Sequence, residues 1–429
     1  MTIIIMLITL VVLLLIGIPA VFSMGLSTLV YFVLERGLFL IPDATVAQRT
    51  VFGMDSFALL ALPLFLIVGK VMNESGVTDR LFDFAKALVG HFRGGLGQVN
   101  IAASVIFAGM SGSATADAAG LGAVEIKAMK DANYPTKFAC SITAASAVIG
   151  PIIPPSVALV MYAILANVSL NNLLIAGIIP GILMGLALSI FVAYEAIKYN
   201  YPTEKRASFK IIFETSRKAF LPMMTPIILV GGILSGIFTA TEAAAIGSLY
   251  AIILACFVYK SISLKKLYSI FKSAMRDSAI IMILIAVSNV LAWILIREQV
   301  PGLFASLITS ISENYYIVMG LLVIFLLLMG MFLSTIVCIA IATPVLVPLV
   351  IAIGGDPLHF GIIMVVTLII GELTPPVGMV LFAITRVGNI KYAELVRGVT
   401  PYLVPLLAIV GLLILFPQLV TFLPNFFLG

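Results

Sequence analysis

Gly150-Pro151-Ile152-Ile153-Pro154-Pro155-Ser156 lies inside a long apolar run, and further along the chain the pattern returns as Gly371-Glu372-Leu373-Thr374-Pro375-Pro376-Val377-Gly378. Proline has no amide proton and clashes with the turn before it, so each Pro-Pro pair interrupts a helix and frees carbonyl groups upstream. A shift of 221 residues superposes these two breaks, and it also places Gly109-Met110 on Gly330-Met331 and Ser113 on Ser334. Shifted by 222, Asp55-Ser56 meets Asp277-Ser278 and Leu81-Phe82 meets Leu303-Phe304; shifted by 219, Gly17-Ile18 meets Gly236-Ile237 and Tyr31 meets Tyr250. Single matches are cheap in an apolar chain, but a nearly constant shift held from residue 17 to residue 155 is not. The chain reads as one unit used twice.

Composition says which solvent surrounds that unit. The chain has 429 residues, 62% of them hydrophobic, with only 24 Lys/Arg and 19 Asp/Glu. Charged residues make up 10%, against about 25% in a soluble domain, too few to cover a surface in water. Soluble enzymes, disordered chains and secreted disulfide scaffolds are excluded on this ground. Cys140, Cys256 and Cys338 lie in apolar runs at no metal-ligand spacing and read as core packing. The opening MTIIIMLITL carries no basic stretch, so it is expected to be a retained first span and not a cleaved signal. In such a chain the net charge of +5 marks cytoplasmic loops, not nucleic-acid binding.

A crossing helix needs about 20 apolar residues. The runs are 2–34, 58–74, 97–124, 138–165, 172–197, 219–259, 278–296, 316–350, 359–385 and 401–427. Runs 2–34 and 219–259 are expected to be two spans each, turning at Gly17-Ile18-Pro19 and Gly236-Ile237-Phe238. Stretches 97–129 and 316–350 have small polar tips, Ser111-Gly112-Ser113 and Ser334-Thr335, and are expected to enter and leave on one side as re-entrant hairpins. The broken helices are 138–165 and 359–385.

Lysine and arginine counts orient the two copies. Loop 35–57 has two against five in 257–277; 86–97 has two against none in 308–319; 125–137 has three against none in 346–358; 165–179 has none against three in 386–400. Basic loops in one copy answer poorer ones in the other, as inverted copies require. The expected fold is therefore an all-α polytopic membrane protein of two inverted-topology repeats, residues 1–200 and 219–429, joined by a cytoplasmic connector at 201–218. Each repeat has about five spans plus one hairpin, and both termini lie outside. Only Arg36, Arg49 and Arg297 then fall off the cytoplasmic side. Segments 77–92 and 298–313 mix charges with Leu and Phe at helical spacing and read as interfacial arms.

Inverted repeats with interrupted helices suit secondary transport, because ligands bind at midplane where broken helices leave backbone groups unpaired. Freed carbonyls beside hydroxyls suit a hard monovalent cation. Each tip, Gly109 to Asp117 and Gly330 to Thr335, presents the start of a returning half-helix, whose dipole attracts an anion. A tip folded to the depth of its break would place a cation beside an anion. Three acids, Asp117, Glu242 and Glu372, lie in apolar stretches, where a carboxylate is functional by default. Glu242, in Thr239-Ala240-Thr241-Glu242, equally fits a helix start with Thr239 as cap.

The motifs GMSGSATADAAGLG, GPIIPPS, GIFTATEAAAIG and GELTPPVG resemble those of the large membrane subunit of TRAP (tripartite ATP-independent periplasmic) transporters, the DctM-like family, over essentially the whole chain. The resemblance implies an elevator-type fold of the ion-transporter superfamily and a sodium-coupled import of organic anions, such as a C4-dicarboxylate or sialic acid, into a bacterium across its inner membrane. It implies two partners: a periplasmic substrate-binding protein and a small four-helix membrane subunit, expected here as a separate chain. It implies one sodium site at Ser113, Ser146, Gly150 and Pro154, and a second at Gly330, Ser334, Thr335, Gly371 and Thr374. Substrate is expected against Ser111, Gly112, Thr115, Asp117, Pro155, Ser156 and Pro376. Na+ is the coupling ion; no cofactor or transition metal is expected.

Two rivals make different demands. Gly109-Met110-Ser111-Gly112 fits the GxSG pattern of an intramembrane serine protease, which needs a histidine base near Ser111. The only histidines, His91 and His359, are expected near opposite faces. A passive anion channel would conduct without sodium or a binding protein.

Overall fold

The computed structural model describes residues 1–37, 42–312 and 314–428. Residues 38–41 of loop 35–57, Glu313 at the end of the second expected arm and Gly429 lie outside the described residues. Helices α1 (Thr2–Leu15) and α2 (Ala20–Arg36) divide the first apolar run. Gly17 makes the turn at φ +90°, and Pro19 caps the second helix. The turn between the two halves of run 219–259 repeats this, with Gly236 at φ +69°.

Next come α3 (Asp43–Met54), which hydropathy does not foretell, and α4 (Ala61–Glu74), entered through a 3-10 turn at Phe57–Leu60. α5 (Val77–Val89) is amphipathic: Val77, Leu81, Phe82 and Ala85 are buried, whereas Asp79, Asp83 and Lys86 face out. The stretch 97–129 folds as α6 (Leu96–Ser111), the short α7 (Ala114–Ala119) and α8 (Leu121–Asp131). The first Pro-Pro pair separates α9 (Thr136–Ala147) from α10 (Val157–Ala166), and α11 (Leu170–Ala176) leads into α12 (Ile178–Tyr199).

A coil of residues 200–208 reaches α13 (Phe209–Leu234), so Lys210, Arg217 and Lys218 ride on helix and not on a loop. α14 (Ala240–Ile253) ends in a π turn at Leu254–Val258. α15 (Leu264–Arg297) begins well before the apolar run 278–296, because the Ser263 hydroxyl accepts from Lys266 N at 3.3 Å and caps it there. α16 (Val300–Ile311), α17 (Tyr315–Phe332) and α18 (Thr335–Ala352) follow. The second Pro-Pro pair separates α19 (Pro357–Gly371) from α20 (Met379–Gly388). The last run is two helices, α21 (Tyr392–Leu415) and α22 (Gln418–Phe427), parted at Phe416-Pro417.

Among the described residues every regular element is helical, and eight helices are long and apolar enough to cross a membrane. The chain is therefore a multi-pass membrane protein. Its helices pack as two groups. In one, α4 lies against α14 and α15, α2 and α3 against α15, and α13 against α14. Lys70–Asp277 and Lys266–Glu74, each 2.6 Å, tie the C-terminal end of α4 to the first half of α15. In the other, α9 touches α6, α8 and α21, α19 touches α17, α18 and α10, and α7 touches α20. The groups meet where α6 packs on α4 and α13, and α18 on α15. Glycines allow that approach: a Cβ on Gly69 of α4 would stand 3.0 Å from the Ser111 carbonyl oxygen, and one on Gly109 of α6 would stand 2.5 Å from Pro226 Cβ.

Candidate functional site

The first tip sits on the first break. α6 ends at Ser111, and Gly112 turns the chain at φ +70°. A Cβ on Gly112 would lie 2.4 Å from the Pro155 carbonyl oxygen, so only glycine permits this contact. Ser113 is extended and caps α7, accepting from Ala116 N at 3.4 Å, with Thr115 Oγ1 3.3 Å from its hydroxyl. Asp117 is 4% exposed, and a Cβ on Gly150 would fall 2.0 Å from Asp117 Oδ2. The carboxylate thus rests on the glycine that opens the break. Ser111 Oγ and Asp117 Oδ1 are buried and find no hydrogen-bond partner among the described residues.

The break itself is rich in bare oxygen. Both Pro154-Pro155 and Pro375-Pro376 are cis. The carbonyls of Gly150, Pro154 and Pro155 accept no backbone hydrogen bond among the described residues. Ser156 caps α10, accepting from Leu159 N at 3.1 Å while donating to the Pro151 carbonyl. Ser146, one turn before Gly150 on α9, donates to Asn100 Oδ1 at 2.6 Å, and Asn100 Nδ2 donates to Thr143 Oγ1 at 2.7 Å. Its hydroxyl hydrogen is thereby committed while its oxygen keeps a lone pair.

The second tip meets the second break by a different contact. Ser334 caps α18 without a side-chain bond, and Thr335 N donates to Glu372 Oε1 at 2.7 Å. A carboxylate at a helix start gains from the free amides and the dipole. Gly330 and Gly371 face each other so closely that a Cβ on Gly371 would stand 2.7 Å from Gly330 Cα. Gly378 N donates to the Met331 carbonyl at 3.1 Å, completing the seat. Thr335 Oγ1 is buried without a partner among the described residues. Thr374 Oγ1 donates to the Ile370 carbonyl at 2.8 Å, its amide takes the Gly371 carbonyl at 2.9 Å, and Tyr392 donates to Pro376 O at 2.8 Å. The carbonyl of Gly371, expected at the second sodium site, and that of Pro376, expected against the substrate, are therefore already engaged.

The two seats are neighbours: α7 beside the first tip packs on α20 beyond the second break, and α10 beyond the first break packs on α18 of the second tip. Glu242 is not among them. It is exposed and completes a capping box at the start of α14, its Oε2 accepting from Thr239 N at 2.8 Å. Of the two readings of Glu242, the acid deep in the apolar interior is corrected, and the helix start capped by Thr239 is the one the structure shows. Conversely, Glu125 is 1% exposed with Oε1 unpartnered among the described residues, and it was missed because EIKAMK reads as a basic loop. The signal was its spacing, since Leu121, Glu125 and Met129 recur every four residues on the buried face of α8. Asn100 was missed too, an amide hidden on the wholly buried side of α6.

Among the described residues no histidine serves Ser111. His359 uses Nε2 on the Leu413 carbonyl at 2.8 Å and Nδ1 toward Tyr315 Oη at 3.5 Å, and neither histidine bonds Ser111.

The chain is similar to known proteins along nearly its full length. Residues 7–419 match the family model of the tripartite ATP-independent periplasmic transporter, DctM component. The sialic acid TRAP transporter large permease protein SiaM of Vibrio cholerae is 43% identical over 413 residues, 96% of each chain. The 2,3-diketo-L-gulonate TRAP transporter large permease protein YiaN of Escherichia coli is 34% identical over 87% of this chain and 88% of its own. The C4-dicarboxylate TRAP transporter large permease protein DctM of Pseudomonas aeruginosa is 36% identical, over 86% and 87%. Among solved structures, the YdaH transporter of Alcanivorax borkumensis superposes with a TM-score of 0.65 over 89% of both chains at 15% identity, a likeness of fold alone. With two tips seated on two Pro-Pro breaks in a multi-pass helical chain, and with relatives of this identity along nearly its full length, the protein belongs to the DctM family of TRAP transporter large permease subunits.

Proposed function

We propose that the chain carries an organic anion inward across a bacterial inner membrane, driven by sodium, with the anion delivered by a periplasmic binding protein and with a small membrane subunit as partner. One observation supports this most: among the described residues, oxygens without a hydrogen-bond donor lie at both tip-and-break seats, the side chains of Ser111 and Asp117 with the carbonyls of Gly150, Pro154 and Pro155 at one and the Thr335 hydroxyl at the other. Oxygen acceptors that lack donors in a dry site suit a hard cation. Ser113, Ser146, Gly150 and Pro154 would hold one Na+; Gly330, Ser334, Thr335, Gly371 and Thr374 would frame the other.

Glu372 already fills the start of α18. The substrate carboxylate would therefore lie between the tips, against Ser111, Gly112, Thr115 and Ser156, with sodium offsetting Asp117 and Glu372. The names of the relatives suggest a carboxylate such as sialic acid or a C4-dicarboxylate. Repeats 1–200 and 219–429 would be inverted copies with both termini periplasmic. The group containing both tips would slide as an elevator against the group of α1–α4 and α13–α15.

The test is uptake of radiolabelled sialic acid and C4-dicarboxylates into vesicles holding the chain and its small subunit, with candidate binding proteins and with or without a sodium gradient. Uptake that needs both sodium and one binding protein is expected. Uptake indifferent to both would leave a channel and sink the proposal.

A further inference from the structure

Apart from transport, we infer that the cleft at the C-terminal end of α12 holds one anionic phospholipid, its phosphate on Arg93 and its acyl chains along the outer face of α12. The cleft has a volume of about 360 Å3 and is lined by Arg93, Gly94, Ile197, Asn200, Tyr201 and Thr203. Arg93 is exposed and makes no ion pair among the described residues.

The cleft is built, not incidental. The buried Gln98 donates through Nε2 to the Arg93 carbonyl at 3.1 Å and to the Ser189 carbonyl at 2.8 Å, which fastens the arginine's backbone to α12. Asn200 closes α12 at φ +52°. The Tyr201 ring packs on Phe138 with centroids 4.3 Å apart and on Tyr134 at 5.9 Å, so the floor is fixed. Burial pushes the Tyr201 phenol up to about 12, which keeps it a neutral donor. The acids near the cleft are occupied: Glu204 pairs with Lys86 at 3.0 Å, and Glu195 accepts from the Tyr402 hydroxyl. Lys198, Lys205 and Arg206 are exposed close by in the chain and add positive potential.

The choice of an amphiphile over a soluble anion comes from what adjoins the cleft. Ile182, Leu186, Ile190, Tyr194 and Ile197 are 45 to 73% exposed and recur every three or four residues, which puts them on one outward face of α12. At 1.5 Å per residue this ribbon is about 22 Å long, enough for the ~15 Å of one leaflet's acyl chains. It ends at Ile197, in the cleft wall. A cation-bearing polar cleft at the end of an apolar ribbon matches a phosphate headgroup attached to hydrocarbon.

Native mass spectrometry of the detergent-solubilised full chain tests this. Dioleoyl phosphatidylglycerol is expected to stay bound, one per chain, at collision energies that strip dioleoyl phosphatidylcholine. Arg93→Gln should weaken retention about fivefold and Arg93→Lys should restore most of it. Ile190→Ala with Tyr194→Ala should also weaken retention, and Arg217→Gln on α13 should not. Thermal unfolding without added lipid checks that each variant is folded. Equal retention of phosphatidylcholine, or an Arg93→Gln chain that binds as wild type, overturns the headgroup assignment. Displacement of the lipid by inorganic phosphate alone would make this a soluble-anion site and overturn the lipid reading. A two-chain species lost in the Ile190 and Tyr194 variant would mean a second copy covers the ribbon, and would overturn it as well.

Discussion

At the scale of single residues, the two cap serines separate structural from functional roles. Ser113 accepts a hydrogen bond from Ala116 N, whereas Ser334 makes no side-chain cap bond. Ser113→Ala should therefore lower the unfolding temperature slightly, as loss of a cap does, and Ser334→Ala should not. If both hydroxyls face sodium, each variant still raises the half-saturating sodium concentration for uptake, by about tenfold for a lost ligand of about 1.4 kcal/mol. Sodium curves that both match wild type would dismiss the two-site assignment. Gly112 allows a separate check. Gly112→Ala puts a methyl 2.4 Å from the Pro155 carbonyl oxygen and leaves an L-residue at φ +70°. The left-handed conformation alone costs roughly 1–2 kcal/mol. Uptake should fall by at least tenfold, and an active variant would show that the tip does not need its seat on the break.

Elements show which parts of the molecule were legible beforehand. Gly17, Gly236 and the Pro-Pro pairs could be read directly, because missing Cβ atoms and missing amide protons act locally, whatever the fold around them. The two breaks and the turn positions of the tips follow from such residues. Glu242 had two readings: hydropathy, averaged over a window of apolar alanines, placed it in the interior, whereas Thr239 three residues before it marked a helix start, and the structure shows the helix start. Glu125 was hidden for the opposite reason: Lys127 and Lys130 dominate its window, but α8 turns them away and brings Glu125 inside. Burial of one helix face depends on what packs there: α8 lies against its neighbours α6 and α9 and against α20, which comes from distant sequence. A prediction belongs to this scale. Glu242→Gln weakens the capping box at Thr239 but touches neither tip. It should lower the unfolding temperature by about 1–2 °C and leave the sodium dependence of uptake unchanged. An altered sodium curve would return Glu242 to the ion pathway.

For the whole molecule, the question is whether the two helix groups slide. Their contact surface is where motion would be felt, and it is unusually bare at one point. Gly69 of α4 lies against the Ser111 carbonyl at the end of α6, close enough that a Cβ would stand at 3.0 Å from that oxygen and 3.2 Å from the Met110 carbonyl. Backbone so near backbone leaves no side chain to interlock, which suits surfaces that must pass one another. In a rigid bundle, filling that contact would shift one helix a few tenths of an ångström and affect mainly stability. In a sliding one it raises a barrier that the carrier meets in every cycle. Uptake should therefore fall in the series Gly69, Gly69→Ala, Gly69→Val, by about threefold and then more than tenfold, through slower turnover at unchanged half-saturating sodium. The measurement is the initial rate of uptake at saturating substrate and sodium, beside the unfolding temperature of each variant. A Gly69→Val chain that turns over like wild type would mean that α4 and α6 never part. The elevator would then have to divide along a different surface, such as α15 against α18.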